Sequence, residues 1–316
     1  MAAKTKKRKF SWTRDDTELA LLCLPTTVWY ALFCFLPMFG IIIAFKHYTV
    51  TAPDRSFFYN LLVSPNAGFD NFTFIFQNGG MWDVVKLTLF YSIIFQILGI
   101  LVPVTLALLM SQLFSKRYGK ICQTCMFFPH FMSWVVVTYF VYAFLSTDNG
   151  LVNSILENLG QETKNWYMEK SFWPVFLIFL NTWKGMGYGM VVYLASITGI
   201  DATMYEAALI DGATKWQQTR YITLPHLKSI VIMMFILNIG GLVRSDFGLF
   251  YQVPRASGSL TPVTNTIDVY IYTALKTQFS PDMASAASFL QSIIGCCLIL
   301  LSNWIISKID AESAII

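Results

Sequence analysis

Residues 206–213 read Glu206-Ala207-Ala208-Leu209-Ile210-Asp211-Gly212-Ala213, and after a polar run comes Ile222-Thr223-Leu224-Pro225. This is a long polar loop set between two strongly apolar segments, and over 199–225 its local chemistry spells helix, break, helix. Asp201 or Thr203 is placed to cap the first helix, and Thr203 followed three residues on by Glu206 has capping-box spacing. Gly212 stops that helix. Pro225 suits the first residue of the next apolar segment, where its missing N–H costs nothing. So short a helix, with no long apolar face, is marginal alone because nucleation is costly, and it needs a surface to dock on. Ala207 and Ala208 let a backbone approach closely, while Glu206 places a negative charge on the docking face.

The rest of the chain explains what such a loop interrupts. Of 316 residues 55% are hydrophobic and 13% charged, and the mean hydropathy is +0.55. These values exclude an ordinary soluble domain. A bilayer core needs roughly 20 mostly apolar residues per helical span, and six stretches qualify: about 19–45, 86–113, 121–145, 172–198, 227–250 and 284–306. Lys and Arg accumulate on the cytoplasmic side of membrane proteins. Here they cluster at Lys4–Lys9 and Arg14, at Lys116, Arg117 and Lys120, at Lys215, Arg220 and Lys228, and at Lys308. The chain therefore reads as an all-α integral membrane protein with both termini and the 199–225 loop inside: a basic N-tail 1–18, a six-span domain 19–308 and a C-tail 309–316.

The bland reading of the basic N-tail is a nucleic-acid arm or a signal-peptide n-region, but the apolar stretch behind it is too long for an h-region and lacks a small-residue cleavage site. It reads as a topology anchor, and no nucleic-acid partner is expected. All six cysteines fall inside expected spans, so Cys122-x-x-Cys125 reads as buried packing, not a redox or metal pair. His47, His130 and His226 are scattered singly, without metal-ligand spacing. No nucleophile–base set stands out, so neither a catalytic nor a metal site is expected. No G-x-x-x-x-G-K-[ST] occurs, and the chain binds no ATP by this signature.

Charges and amides at bilayer depth normally face a cavity or a partner. Lys184 lies near the middle of the fourth stretch, in Asn181-Thr182-Trp183-Lys184-Gly185-Met186-Gly187-Tyr188-Gly189, where Gly185 and Gly189 suggest one small face for a close helix crossing. In the fifth, Asn238 precedes Gly240-Gly241, and Arg244 and Asp246 lie toward the outer end. Asn181, Trp183, Lys184, Tyr188, Asn238, Arg244 and Asp246 are the candidate path residues, with Trp183 and Tyr188 offering aromatic faces for sugar stacking. Helix–helix hydrogen bonding is the competing role for Lys184 and Asn238, a snorkelling ion pair that for Arg244 and Asp246. Of the outer loops, 46–85 carries Phe57, Phe58, Tyr59, Phe69, Phe72, Phe74 and Phe76, as an amphipathic interfacial element does, and 251–283 reads as an ordered cap.

The pattern E-A-A-x-x-D-G-A with a downstream I-x-L-P resembles the cytoplasmic coupling loop of ATP-binding-cassette importer membrane subunits. Gly68-Phe69-Asp70-Asn71-Phe72 resembles that family's G-x-x-N-F element. Leu24-Pro25, the Pro37-to-Lys46 ending, and Arg244-Ser245-Asp246-Phe247-Gly248 with Ile267-Asp268-x-Tyr270 are similar to the carbohydrate-uptake permeases, especially the lipo-oligosaccharide and polysaccharide type. The resemblance implies a six-span type I importer fold in the bacterial cytoplasmic membrane. It further implies pairing with a second homologous permease as a heterodimer, two ATPase subunits that bind ATP and magnesium, an extracytoplasmic solute-binding protein, and an oligosaccharide, acidic or neutral, as substrate. Carried over by position, Glu206, Ala207, Ala208, Asp211, Gly212 and Pro225 are the ATPase-coupling residues. A peptide or amino-acid importer would share this loop. A secondary transporter would need no ATPase but should carry inverted repeats, and none is apparent.

Overall fold

The computed structural model describes residues 13–49, 54–77, 79–113, 115–277 and 280–309. The basic run Lys4–Lys9 and most of the C-tail lie outside them, as do the side chains of Phe74 and Phe76. Among the described residues the regular secondary structure is all helical apart from one isolated bridge, Lys46 to Asn66. The apolar content is deployed as helices long enough to cross a membrane: α1 (Arg14–Phe45), a later span through Gly80–Ser111, then Phe172–Thr198, Lys215–Ile239 and Pro281–Lys308.

α1 opens on a capping box between Thr13 and Asp16 and shifts from α to π to 3₁₀ geometry beyond Tyr30. Nothing on its first seventeen residues is buried by this chain. Only its far end is held. There Asn71 donates from Nδ2 to the carbonyls of Ala44 (3.0 Å) and Lys46 (2.9 Å), and Phe45 packs on Phe72 and Phe289. The Gly68–Phe72 run therefore closes the orphan carbonyls at the end of the first span, between the short helices α2 (Phe57–Val63) and α3 (Asp70–Gln77).

α4 (Gly79–Ser111) is the long second span. The third is not the straight helix expected over 121–145. α5 (Lys116–Phe127) and α6 (Trp134–Leu145) meet at 100°, around a 3₁₀ turn at Phe128–Phe131. Pro129 has no N–H to continue the ladder, and Ser133 restarts it by accepting from Val136 N–H (3.3 Å). Cys122 is half-buried and Cys125 exposed on α5, so that pair does not fill the core of this chain as expected. The small helix α7 (Leu151–Asn158) leads to α8 (Phe172–Thr198), which packs along α4. The main core lies where Trp173, Leu177 and Leu180 of α8 meet Tyr91 of α4, Val137 and Val141 of α6, and Phe250.

Close approaches of α8 do not use one Gly185/Gly189 face. Gly187 sits where any Cβ would run into the Met126 carbonyl, Gly189 lies on the Pro103 ring of α4, and Gly185 faces open space. Residues two apart on a helix are about 200° apart around its axis, so α4 and α5 approach from different sides.

After the loop helix α9 (Ala202–Ile210), α10 (Lys215–Gln218) runs through a π turn at Thr219–Thr223 into α11 (Leu224–Ile239). The continuous apolar segment thus begins at Lys215, ten residues before Pro225, while Pro225 itself lies in the first turn of α11, where its missing N–H costs nothing. The segment also ends at Ile239 and not near 250. Gly240 is pressed against Ile299 and the Gly295 backbone of the last span, and the chain turns away there. A π turn at Gly248–Gln252, the short α12 (Thr261–Thr264) and α13 (Ile267–Thr277) follow, so the 251–283 cap is largely helical. α14 (Pro281–Ile309) closes the bundle.

Candidate functional site

At one end of the bundle the 199–225 loop is rigid, yet it presents bare apolar side chains. Asp201 caps α9, its carboxylate accepting from Thr203 N–H (3.0 Å), and the bond holds that carboxyl below its ordinary pKa. No Thr203–Glu206 box forms. The box is one turn further on, where Thr214 N–H donates to Gln217 Oε1 (2.7 Å) and Gln217 N–H to Thr214 Oγ1 (3.3 Å). Gly212 ends α9 at φ +76°, with Ala213 N–H reaching Ala208 O (2.9 Å) and Gly212 N–H reaching Leu209 O (3.1 Å), a Schellman ending. Tyr205 turns inward and its hydroxyl lies 2.9 Å from that of buried Thr223. What faces outward is Glu206, Ala207 and Asp211, together with Leu209 (69% exposed) and Ile210 (85%) and, on α10, Trp216 (68%). Ala208 is half-buried.

Midway along the bundle, Asn181, Asn238, Arg244 and Asp246 line one cleft of about 370 Å³ with Ser92 and Gln96 of α4. The broken end of α11 makes this possible: its bend carries Arg244 and Asp246 off the helix and across the face of α4. Ser92 Oγ ties Arg244 O at 3.3 Å, and Gln96 Nε2 ties Phe235 O at 3.3 Å. Arg244 and Asp246 form no ion pair with each other. Asp246 instead accepts from Trp134 Nε1 at 2.5 Å and caps the following π turn through Gly248 N–H at 2.9 Å.

Lys184 stands beside this cleft. Its ammonium donates to the His130 carbonyl (3.3 Å), one of the groups orphaned by the α5–α6 bend, and lies 5.1 Å from the centroid of the Trp134 ring. Lys184, Trp134 and Asp246 thus form a chain from the bend to the cleft. Trp183 turns the other way, into a wholly apolar cavity of about 670 Å³ between α6 and α8. Tyr188 stacks on His130 at 4.7 Å.

Sequence reading overlooked the brace behind the cleft. Asp268 Oδ2 accepts from Ser245 N–H (2.6 Å), Ser245 Oγ (2.9 Å) and Gln291 Nε2 (3.2 Å), and Gln291 also reaches Val243 O. Three segments far apart in sequence meet on one carboxylate. Gln291 is a polar residue inside an apolar run, but nothing in the spacing links it to Asp268. The Thr214-x-x-Gln217 box, by contrast, carried a legible signature.

Apolar spans, a broken helix lining a polar cleft, and a capped loop with exposed apolar side chains at one end fit the membrane subunit of a transporter. The chain belongs to the binding-protein-dependent transport system inner membrane component family, whose model matches residues 99–311. It is 31% identical over 307 residues to the polygalacturonan/rhamnogalacturonan transport system permease protein YteP of Bacillus subtilis, covering 97% of this chain and 93% of that one. To Protein LplB of the same organism it is 29% identical over 311 residues, 98% and 95% of the two chains. A chain of a bacterial ABC transporter involved in the import of the acidic polysaccharide alginate superposes with a TM-score of 0.81 at 29% identity, covering 94% and 97%.

Proposed function

We propose that this multi-pass membrane protein is the permease subunit of an ATP-driven oligosaccharide importer, and that it supplies one wall of the translocation path. The observation that carries the motor half of this reading is the α9 loop: capped at both ends, tethered by Tyr205, and bare at Leu209, Ile210 and Trp216. An exposed apolar patch on a rigid element is a docking face. Its partner is a cytoplasmic ATPase, with Glu206 meeting a cation there. Two such ATPase subunits bind and hydrolyse ATP with magnesium; this subunit is not an enzyme. Both termini and the α9 loop lie in the cytoplasm, and the opposite end faces outward to a solute-binding protein. A solved relative is an alginate transporter in complex with an alginate pentasaccharide-bound periplasmic protein.

A second, homologous permease completes the path and covers surface that this chain leaves open, including most of α1. Within the path, Arg244, Asn181 and Asn238 contact substrate. Asp246 and Lys184 hold the cleft's shape, because their polar atoms are committed to Trp134, the Gly248 N–H and the His130 carbonyl. Purifying the tagged full-length chain from its native membrane tests the assembly: an ATPase and a second permease should come with it, and their absence would overturn the reading. In the assembled complex, Arg244→Gln should raise the KM for oligosaccharide uptake while leaving basal ATP hydrolysis intact.

A further inference from the structure

Beyond the cleft, at the end of the bundle away from α9, lies a second cavity that the path residues do not use. It measures about 410 Å³ and is lined by Tyr251, Tyr270, Tyr272, Asn265, Lys276 and several threonines. That size lies within the range of small-ligand pockets, roughly 300–1,000 Å³.

Its chemistry is directional. Phe247, Tyr251 and Tyr272 form a compact aromatic group, with ring centroids 4.8 Å apart for Phe247–Tyr251, 4.6 Å for Phe247–Tyr272 and 4.9 Å for Tyr251–Tyr272. Lys276 stands 5.7 Å from the Tyr272 centroid. Tyr251 first, then Tyr272, hold its ammonium above the ordinary lysine pKa. No Asp or Glu lines the cavity, and among the described residues Lys276 has no carboxylate partner. The side-chain amide of Asn265 makes no hydrogen bond to the protein among the described residues. A cation held by the hydroxyls of Tyr272 and Tyr251 and not by a carboxylate, an unpaired amide and tyrosine edges in one pocket match a sugar ring that carries an anionic group.

The wall opposite is built at a cost. Arg255 and Ala256 are consecutive non-glycine residues in the left-handed region, at φ 56° and 50°. Such residues are strained and persist only where the surroundings over-determine them. Here Ala256 N–H is bonded to Tyr251 O (3.0 Å), Ser257 Oγ to Tyr167 O (3.3 Å), and the Arg255 guanidinium lies 3.9 Å from the Tyr142 centroid. The strained turn sets Ala256 and Ser257 as the cavity's side. Phe247 directly follows Asp246, so the aromatic group adjoins the mid-depth cleft.

We infer that the Tyr251–Tyr272–Lys276 cavity is a subsite for a carboxylate-bearing sugar unit, holding an acidic oligosaccharide at the outer mouth before it reaches Arg244. The ring face lies on the tyrosines, the carboxylate meets the Lys276 ammonium, and Asn265 bonds a hydroxyl. This rests on the importer reading above and adds a substrate class to it.

The test uses the full assembled transporter with its binding protein in vesicles, fed oligogalacturonate or a neutral oligosaccharide of the same length. Lys276→Gln should raise the KM for oligogalacturonate about tenfold, the loss expected for one charge-assisted hydrogen bond, and leave the neutral oligomer's KM and both maximal rates unchanged. Lys276→Arg should recover most of the affinity, and Tyr272→Leu should weaken both oligomers. Equal effects of Lys276→Gln on acidic and neutral oligomers, or none on either, overturn the subsite. Loss of binding-protein affinity in Lys276→Gln vesicles without sugar also overturns it, by assigning the residue to a protein contact. If the wild-type complex imports neither oligomer, the importer reading falls and the subsite with it; normal wild-type import with an unaffected Lys276→Gln variant removes the subsite alone.

Discussion

The phenol of Tyr205 lies 2.9 Å from the hydroxyl of Thr223, across eighteen residues of sequence. This bond joins α9 to the π turn at the root of α11, so in the proposed coupling role a push on α9 would reach the base of a membrane span. A neutral hydrogen bond of this kind contributes about 1 kcal/mol. Tyr205→Phe and Thr223→Val should each lower transport per ATP hydrolysed, and the double variant should be no worse than either alone. Additive losses in a double-mutant cycle of coupled uptake would contradict a direct link.

Glu206→Lys and Gly212→Asp act on the same loop by different routes. The first reverses charge on the exposed face; the second puts a side chain at φ +76°, straining the backbone by about 1 kcal/mol or more. Both variants should insert and express normally, and lose uptake while the ATPase still hydrolyses. Wild-type uptake at normal expression removes the coupling role.

Gly187→Ala and Gly185→Ala form a matched pair. A methyl at Gly187 meets the Met126 backbone, whereas one at Gly185 meets nothing. Overpacking of a helix contact typically costs about 1–3 kcal/mol, so only Gly187→Ala should lower the thermal midpoint of the detergent-solubilised protein. Equal shifts would mean that α5 does not cross α8 at Gly187.

Asp268→Ala removes the acceptor for Ser245 N–H, Ser245 Oγ and Gln291 Nε2 together. Ser245 Oγ keeps Thr266 Oγ1 and Gln291 Nε2 keeps Val243 O as acceptors, so the main cost is the Ser245 N–H left unsatisfied, roughly 1–3 kcal/mol, and Arg244 loses the support of the adjacent Ser245. Lower stability and a raised KM should appear together. Asp268→Asn, which keeps an oxygen acceptor, should recover part of both. A raised KM at unchanged stability would make Asp268 a substrate contact instead of a brace.

Several elements were legible before any coordinates, each through a local rule. Asp201, Gly212 and the helix–break–helix loop follow from capping preferences, and the spans around 172–198 and 284–306 from unbroken apolar runs of sufficient length. The errors are equally physical. The third span reads as continuous because Val, Phe and Tyr surround Pro129, yet the missing N–H and the Ser133 cap split it. The fifth reads as running to about 250 because Leu242, Val243, Phe247, Leu249 and Phe250 carry the apolar run past Arg244 and Asp246, while contact with Ile299 and Gly295 ends the helix at Ile239. Hydropathy counts residues and is blind to the helix packed beside them.

By itself, then, the sequence determined what depends on neighbours in the chain: the membrane as solvent, the number of apolar segments, the capped docking loop and the polar residues candidate for a path. Only the tertiary structure decided which of those polar groups are free. Asn181, Asn238, Arg244 and Asp246 line one cleft, Trp183, Lys184 and Tyr188 do not, and Asp246 and Lys184 are also tied to Trp134, the Gly248 N–H and the His130 carbonyl. Partners of this kind are brought together by helix crossings and a 100° bend. Such geometry is set by packing between distant segments and leaves no periodic trace in the sequence of either.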